Sequence, residues 1–255
     1  MRLLRAPGKL LHAIAHALRG WWIIRTKFEM LDDAHRAAHV ERWARRMLEV
    51  LGIELVVHGT PPAGPAGGPV LLISNHISWL DIVTLHAARH VRFVSKAAVK
   101  HWPLIGTLST GSGTLYIERE KRRDALRVVH HMTEALRNGD RIAVFPEGTT
   151  SDGRVLLPFH ANLLQAAISA NVPVQPAALR FVDKATGQPS YAPRYIDDDT
   201  LLSSLWRTLS APPLQAVVRF GAPQDPHGRD RRHWAQSLHA DVLALREGGG
   251  VLSEE

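Results

Sequence analysis

From residue 53 onward the chain alternates short apolar runs with helical stretches, and this alternation restricts the fold more than any other feature. Strand-like runs fall at residues 54–58, 70–74, 91–95, 114–117, 142–145, 172–179 and 216–220. Helical spacing fills residues 78–89, 124–137, 160–170 and 231–245 between and after them. The order predicts an α/β fold with a central, mostly parallel or mixed sheet covered by helices. A Pro/Gly-rich stretch at residues 59–69 reads as a loop within that unit. No repeat of 20 to 50 residues marks a solenoid or a propeller.

Open α/β sheets collect their active sites beyond the carboxyl ends of the strands. Each run with chemistry near it has that chemistry at such an end. After residues 70–74 comes Asn75-His76-Ile77-Ser78-Trp79-Leu80-Asp81. A histidine can accept a hydroxyl proton near neutral pH, and a carboxylate on its other ring nitrogen fixes the tautomer and stabilises the imidazolium. His76 is the expected base and Asp81 its orienter. On one continuous helix five residues turn through about 500°, so the two side chains can meet only if the chain turns between them. Ser78 followed by Asp81 reads as a capping box that opens a helix there, which supplies the turn. Taken alone, the segment fits an ordinary helix cap as well as a catalytic pair.

Its company along the chain is therefore decisive. Lys96 follows residues 91–95 and is a candidate for phosphate or oxyanion stabilisation. Glu118 and Arg119 follow residues 114–117, where a guanidinium can grip a phosphate in two-pronged fashion. Residues 142–145 run into Pro146-Glu147-Gly148-Thr149-Thr150-Ser151, a rigid turn with a carboxylate, hydroxyls and a glycine that permits close backbone approach. Glu147 can bond a substrate hydroxyl or hold Arg119, and the spacing does not choose between them.

Composition removes several classes. The 255 residues include no cysteine, so disulfides and a cysteine nucleophile are excluded. The fifteen histidines are scattered without metal-ligand spacing, and the acidic run at residues 197–199 has no histidine partners in pattern. A net charge of +7 favours an anionic partner, and no RNA-binding or zinc-finger signature directs it to nucleic acid. A bilayer surface fits better. Residues 10–24 are apolar but interrupted by His12, His16 and Arg19, and Trp21 and Trp22 sit between Arg19 and Arg25. That pattern predicts an in-plane amphipathic helix, with a single tilted span as the alternative. A secretory signal is disfavoured because bulky and basic residues occupy the place of a cleavage site. Residues 29–51 have helical spacing with Arg36, Arg42, Arg45 and Arg46, and Gly52 ends that helix. The expected divisions are membrane-associating helices at 1–52, the α/β domain at 53–247 and a flexible tail at 248–255.

Together, His76-x4-Asp81, Tyr116-Ile117-Glu118-Arg119, Phe145-Pro146-Glu147-Gly148 and Val172-Pro173-Val174-Gln175-Pro176 resemble the four ordered blocks of the lysophospholipid acyltransferase family, of the bacterial 1-acylglycerol-3-phosphate type. The resemblance spans residues 70–223. One departure stands in the second block, where Glu118 replaces the usual aspartate. The resemblance implies a glycerolipid acyltransferase-like fold with His76 and Asp81 catalytic. It implies Arg119 as the phosphate ligand, with Glu147, Gly148 and Thr149 shaping the acceptor site. The implied reaction moves a fatty acyl group from acyl-CoA or an acyl carrier protein conjugate to a lyso-lipid hydroxyl, with no metal or redox cofactor. Lysophosphatidate is the first expected acceptor and a lyso-ornithine lipid the second. The implied location is the cytoplasmic side of a bacterial inner membrane, peripheral or single-span. A catalytically silent membrane-binding protein is the alternative of a different class.

Overall fold

The computed structural model describes residues 6–63, 67–117 and 122–248. Two helices come first, α1 (Ala6–Lys27) and α2 (Asp33–Leu51), joined through a 3-10 turn at Phe28–Met30. The α/β order then runs β1 (Ile53–His58), β2 (Val70–Ser74), α3 (Leu80–Ala88), β3 (Arg92–Lys96), α4 (Ile105–Gly111), β4 (Leu115–Ile117), α5 (Arg122–Arg137) and β5 (Arg141–Val144). It closes with α6 (Leu164–Ala170), β6 (Val174–Asp183), α7 (Leu201–Ser210), β7 (Leu214–Phe220) and α8 (Arg231–Glu247).

Among the described residues seven strands form one mixed sheet in the order β1-β7-β6-β2-β5-β3-β4. Only β6 and β7 run antiparallel; the other neighbours are parallel. The registers Ile73↔Val144, Phe93↔Ala143 and Lys96↔Ile117 bring the carboxyl ends of β2, β5, β3 and β4 side by side on one edge. The expected α/β sheet is thus observed, and the four motif-bearing strands are consecutive within it.

Both faces of the sheet are covered, which explains why β2 reads as a continuous apolar run rather than an alternating one. Leu72 points into a core shared with α2 and α3, while Leu71 and Ile73 point into the opposite core with α5, α6 and α8. The second helix is a wall of the first core. Ala44, Met47, Leu48 and Leu51 are buried there, and Arg45 donates from Nε to the carbonyl of Ala87 at 2.8 Å. Gly52 ends α2 as expected, with φ +78° in the left-handed region that only glycine enters without strain.

The first helix rests on the second through a reciprocal pair. His16 and Trp43 stack at 5.3 Å, and Trp43 Nε1 donates to the carbonyl of His16 at 3.2 Å. Ala6, Ala13 and Gly20 are the buried residues of α1, while Leu11, Ile14, Leu18 and Trp22 are exposed. No helix among the described residues is long and apolar enough to cross a membrane. Two helices went unrecognised in the sequence, α4 and α7. Each is short, and α4 carries two glycines and three hydroxyl residues, too little periodicity to register. Of the tail expected at 248–255, residues 249–255 lie outside the described residues.

At the end of α3, His86 and His90 approach Nδ1 to Nδ1 at 3.2 Å and stack at 5.1 Å. Burial holds both below the ordinary histidine range; His90 is lowered to about 4 by burial first and then by Arg141 and Arg92. A histidine held neutral in the fold takes up its proton first in the unfolded chain. The stability it contributes is therefore complete above pH 6.5 and is lost as pH falls toward about 4. Thermal melts between pH 7.5 and 4.5 should record a loss of up to about 3 kcal/mol from His90, and a His90→Gln variant should lose less over the same interval.

Candidate active site

The short turn between β2 and α3 is organised by one buried carboxylate. Asp81 stands in the first turn of α3 at 0% exposure. Its Oδ2 accepts from the amides of Ile77 at 2.6 Å and Ser78 at 2.8 Å and from His76 Nδ1 at 2.8 Å. Its other oxygen, Oδ1, is buried with no hydrogen-bond partner among the described residues. The capping arrangement is partly as expected: Asp81 reaches back to the amide of Ser78, and Ser78 Oγ accepts from Leu80 at 3.3 Å. The helix itself begins at Leu80, one residue later than a cap at Ser78 predicts. His76 lies outside it, so the chain folds back and the two side chains meet.

With Nδ1 donating to the carboxylate, the imidazole keeps its lone pair on Nε2. The ring lies flat on Phe145, 3.8 Å between centroids and 4° between planes, and the side chain is 18% exposed. Packing on one side and a hydrogen bond at one nitrogen leave a single orientation with Nε2 free for an incoming hydroxyl. This is the geometry of a general base.

Neighbouring strands hold the turn in place. Asn75 is buried and makes two bonds to β6: Nδ2 donates to the carbonyl of Leu179, and Oδ1 accepts from its amide, both at 2.8 Å. The carbonyl of His76 accepts from the amide of Ser151 at 2.9 Å. The carbonyl of Ile77 accepts from the amide of Tyr195 at 3.0 Å, and Thr150 Oγ1 donates to the carbonyl of Tyr195.

Glu147 is also buried, and it is engaged by main chain. Oε1 accepts from the amide of His76 at 2.6 Å and Oε2 from the amide of Leu157 at 2.9 Å. Burial pushes its carboxyl above the ordinary range, and the amides of Leu157 and His76 pull it back. Gly148 turns the chain at φ +74°, and a Cβ there would come within 3.0 Å of the His160 ring. Gly148 and Thr149 are exposed beside the turn, and Lys96 is exposed at the carboxyl end of β3.

Arg119 lies outside the described residues; Ile117, two residues before it, ends β4 on the same edge of the sheet. His76, Asp81 and Glu147 are thus brought into direct contact, with Gly148 in the same turn and Lys96 two strands from β2. The fourth block, Val172 to Pro176, leads into and opens β6 and is a buried part of the sheet at the opposite edge.

A developing oxyanion next to the base would need positioned donors, and the nearest amides are those of the His76 turn. Those of His76, Ile77 and Ser78 all donate to carboxylates of the protein instead. Asp199, from the acidic run at 197–199, accepts from Arg207 at 3.0 and 2.9 Å, and that guanidinium holds its carboxyl low, at about 2. No group of three or more histidine, aspartate or glutamate side chains converges among the described residues as metal ligands would.

Asn75 and Phe145 were missed as site residues. An asparagine directly before the histidine, at the end of an apolar strand, was the available signal for the first. Phe145 stood in its motif as a strand residue, and nothing local tells that its ring meets one 69 positions earlier.

Comparison with known proteins places the chain in a family. The Acyltransferase family model matches residues 52–180. A lyso-ornithine lipid O-acyltransferase from Pseudomonas aeruginosa is 34% identical over 96% of this chain and 94% of that protein. A 1-acyl-sn-glycerol-3-phosphate acyltransferase from Neisseria meningitidis is 38% identical over 79% of this chain and 78% of that protein. The crystal structure of the 1-acyl-sn-glycerophosphate acyltransferase from Thermotoga maritima superimposes with a TM-score of 0.66 at 17% identity, covering 96% of this chain and 99% of that one. With the family match spanning its central strands and relatives aligned along most of its length, the chain belongs to the acyltransferase family of enzymes.

Proposed function

We propose that this acyltransferase moves a fatty acyl group from a thioester donor to the free sn-2 hydroxyl of 1-acylglycerol-3-phosphate, giving phosphatidate, with His76 as the general base. The observation that carries the mechanism is the oriented pair: His76 Nδ1 on Asp81 at 2.8 Å, with the ring seated on Phe145 and Nε2 open. Nε2 takes the proton of the acceptor hydroxyl as its oxygen attacks the thioester carbonyl. Collapse of the tetrahedral intermediate breaks the carbon–sulfur bond, and the imidazolium returns the proton to the departing thiolate. Asp81 stabilises the imidazolium between these steps. Acyl-CoA and an acyl carrier protein conjugate present the same thioester, and both serve as donors in this scheme.

Negative charge on the carbonyl oxygen needs a positioned donor. Because the amides of the His76 turn are occupied, Lys96 takes that role in this reading, from the carboxyl end of β3. Arg119 binds the acceptor phosphate, and the exposed Gly148 and Thr149 border it. Glu147 supports the acceptor site by tying the His76 turn to the segment at Leu157. Acceptor and acyl chain are lipids, so the enzyme works as a peripheral protein on the cytoplasmic face of the membrane. Leu11, Ile14, Leu18 and Trp22 of α1 supply its apolar contact, and Arg25 and Lys27 lie over Trp21 and Trp22 at headgroup level.

A second acceptor has specific support. The Pseudomonas aeruginosa relative, aligned over 96% of this chain, is named for lyso-ornithine lipid. That acceptor offers a hydroxyl to the same base without a glycerol phosphate.

Replacing His76 by alanine should lower kcat/KM by about a thousandfold or more, with the protein still folded and vesicle binding intact; retained transfer would refute the assignment. Asp81→Asn should lower kcat by about a hundredfold with little change in KM. A purified-enzyme assay crossing lysophosphatidate and lyso-ornithine lipid with both thioester donors decides the acceptor, and acylation of lyso-ornithine lipid alone would overturn the first reading. Arg119→Ala should raise KM for lysophosphatidate about 10- to 100-fold and leave that for lyso-ornithine lipid nearly unchanged.

A further inference from the structure

The helix α7 has two faces with different partners. On its inner face Ser204 is fully buried; its Oγ accepts from Trp79 Nε1 at 3.2 Å, inside the turn that carries His76, and donates to the carbonyl of Arg194 at 2.9 Å. Arg207 secures the same segment, with Nε on the carbonyl of Ala192 at 2.9 Å and its fork on Asp199. That segment includes Tyr195, which donates to the carbonyl of Ile77. On the outer face Leu202 is 62% exposed and Trp206 41% exposed. Four residues apart, they stand one above the other on the helix.

The structure assigns α7 as a second lipid-contacting element, whose Leu202 and Trp206 enter the interface of an anionic bilayer beside α1. The inference rests on the acyltransferase reading and on α1 as the first contact. The helices α1 and α7 pack on each other. The exposed Leu11, Ile14, Leu18 and Trp22 of α1 fall within a sector of about 80°. Charge selects the occupant. Arg19, Arg25 and Lys27 are exposed along α1, so a second copy of the chain seated on this face would bring like charges together, whereas anionic headgroups answer them. Asp197 and Asp198 are exposed just ahead of α7. They oppose deep insertion at that end and hold the contact to interfacial depth, where a tryptophan is favoured. The catalytic turn is then tied directly to a lipid-facing helix through Trp79 and Ser204, and a lyso-lipid held in the bilayer plane meets the base at that margin.

The test compares wild type with a Leu202→Ser/Trp206→Ser variant and a Leu11→Ser/Leu18→Ser variant. Flotation is measured with phosphatidylcholine vesicles containing or lacking phosphatidylglycerol, and activity with a vesicle-borne and a short-chain, water-soluble lyso-lipid. The α7 variant should bind anionic vesicles about tenfold more weakly and lose activity on the vesicle-borne acceptor in proportion. Its melting temperature and its rate on the soluble acceptor should stay at wild-type values. Quenching by brominated lipid should fall in a milder Trp206→Phe variant, which reads the contact without disturbing the fold. Unchanged binding by the α7 variant, with weakened binding by the α1 variant, overturns the inference for α7 alone. A wild-type protein that ignores vesicles overturns the reading of α1 as well. Gel filtration in which the α7 variant alone converts from dimer to monomer would assign the face to a second copy and also overturn the inference.

Discussion

The active-site turn depends on a carboxylate kept out of water. A carboxylate buried without compensation costs several kcal/mol, and Asp81 meets that demand by drawing three donors onto one oxygen. Two are amides of the turn and the third is the imidazole of His76. The desolvated charge therefore dictates the path of the chain from residue 76 to residue 78 and the ring orientation at once. Stability alone would divide donors over both oxygens. Here all three meet Oδ2, the oxygen that faces the imidazole, and Oδ1 takes none from the described residues.

Glu147 repeats the device at the neighbouring strand end, with two amides on its two oxygens. Two buried carboxylates thus stitch together loops from β2 and β5, and in the described structure they are met by four main-chain amides and the His76 imidazole. Asn75 does the same work without charge, replacing the next rungs of a ladder between β2 and β6 where the strand turns away. The result is an imidazole supported from three strands, while the cation Lys96 stands exposed at the end of a fourth.

Much of this was legible in the sequence. Strands β2 to β5 were placed within one residue, because their central positions are apolar, whereas β6 was placed two residues early and ended four short. The pairing of His76 with Asp81 was also legible, since the acidic residue lies within one turn of the helix start. The engagement of Glu147 was not: a carboxylate in a polar turn looks the same whether it faces substrate or the amides of residues 76 and 157. The occupied amides were equally hidden, because which N–H groups remain free follows from the fold rather than from residue type. The helix α7 escaped because its ten residues mix apolar and hydroxyl groups, and its inner face is recognised only once Trp79 is seen against Ser204. The acidic run before it was set aside as a metal site for want of ligand spacing, and its role shows only in the fold, where Asp199 pairs with an arginine eight positions on.

The way α1 is attached has a consequence for the lifetime of the protein away from lipid. Its buried positions, Ala6, Ala13 and Gly20, recur every seven residues and are all small. The helix is held by close approach, by the His16–Trp43 pair and by the partly buried Leu10 and Ile24, whereas Leu11, Ile14, Leu18 and Trp22 contribute almost nothing to its seat. Newly made chains therefore carry an uncovered greasy ridge that folding cannot remove. Storage of such a chain in water favours clumping, and a detergent belt over the ridge opposes it. The ridge that suits the proposed bilayer contact makes the molecule a poor resident of bulk solvent.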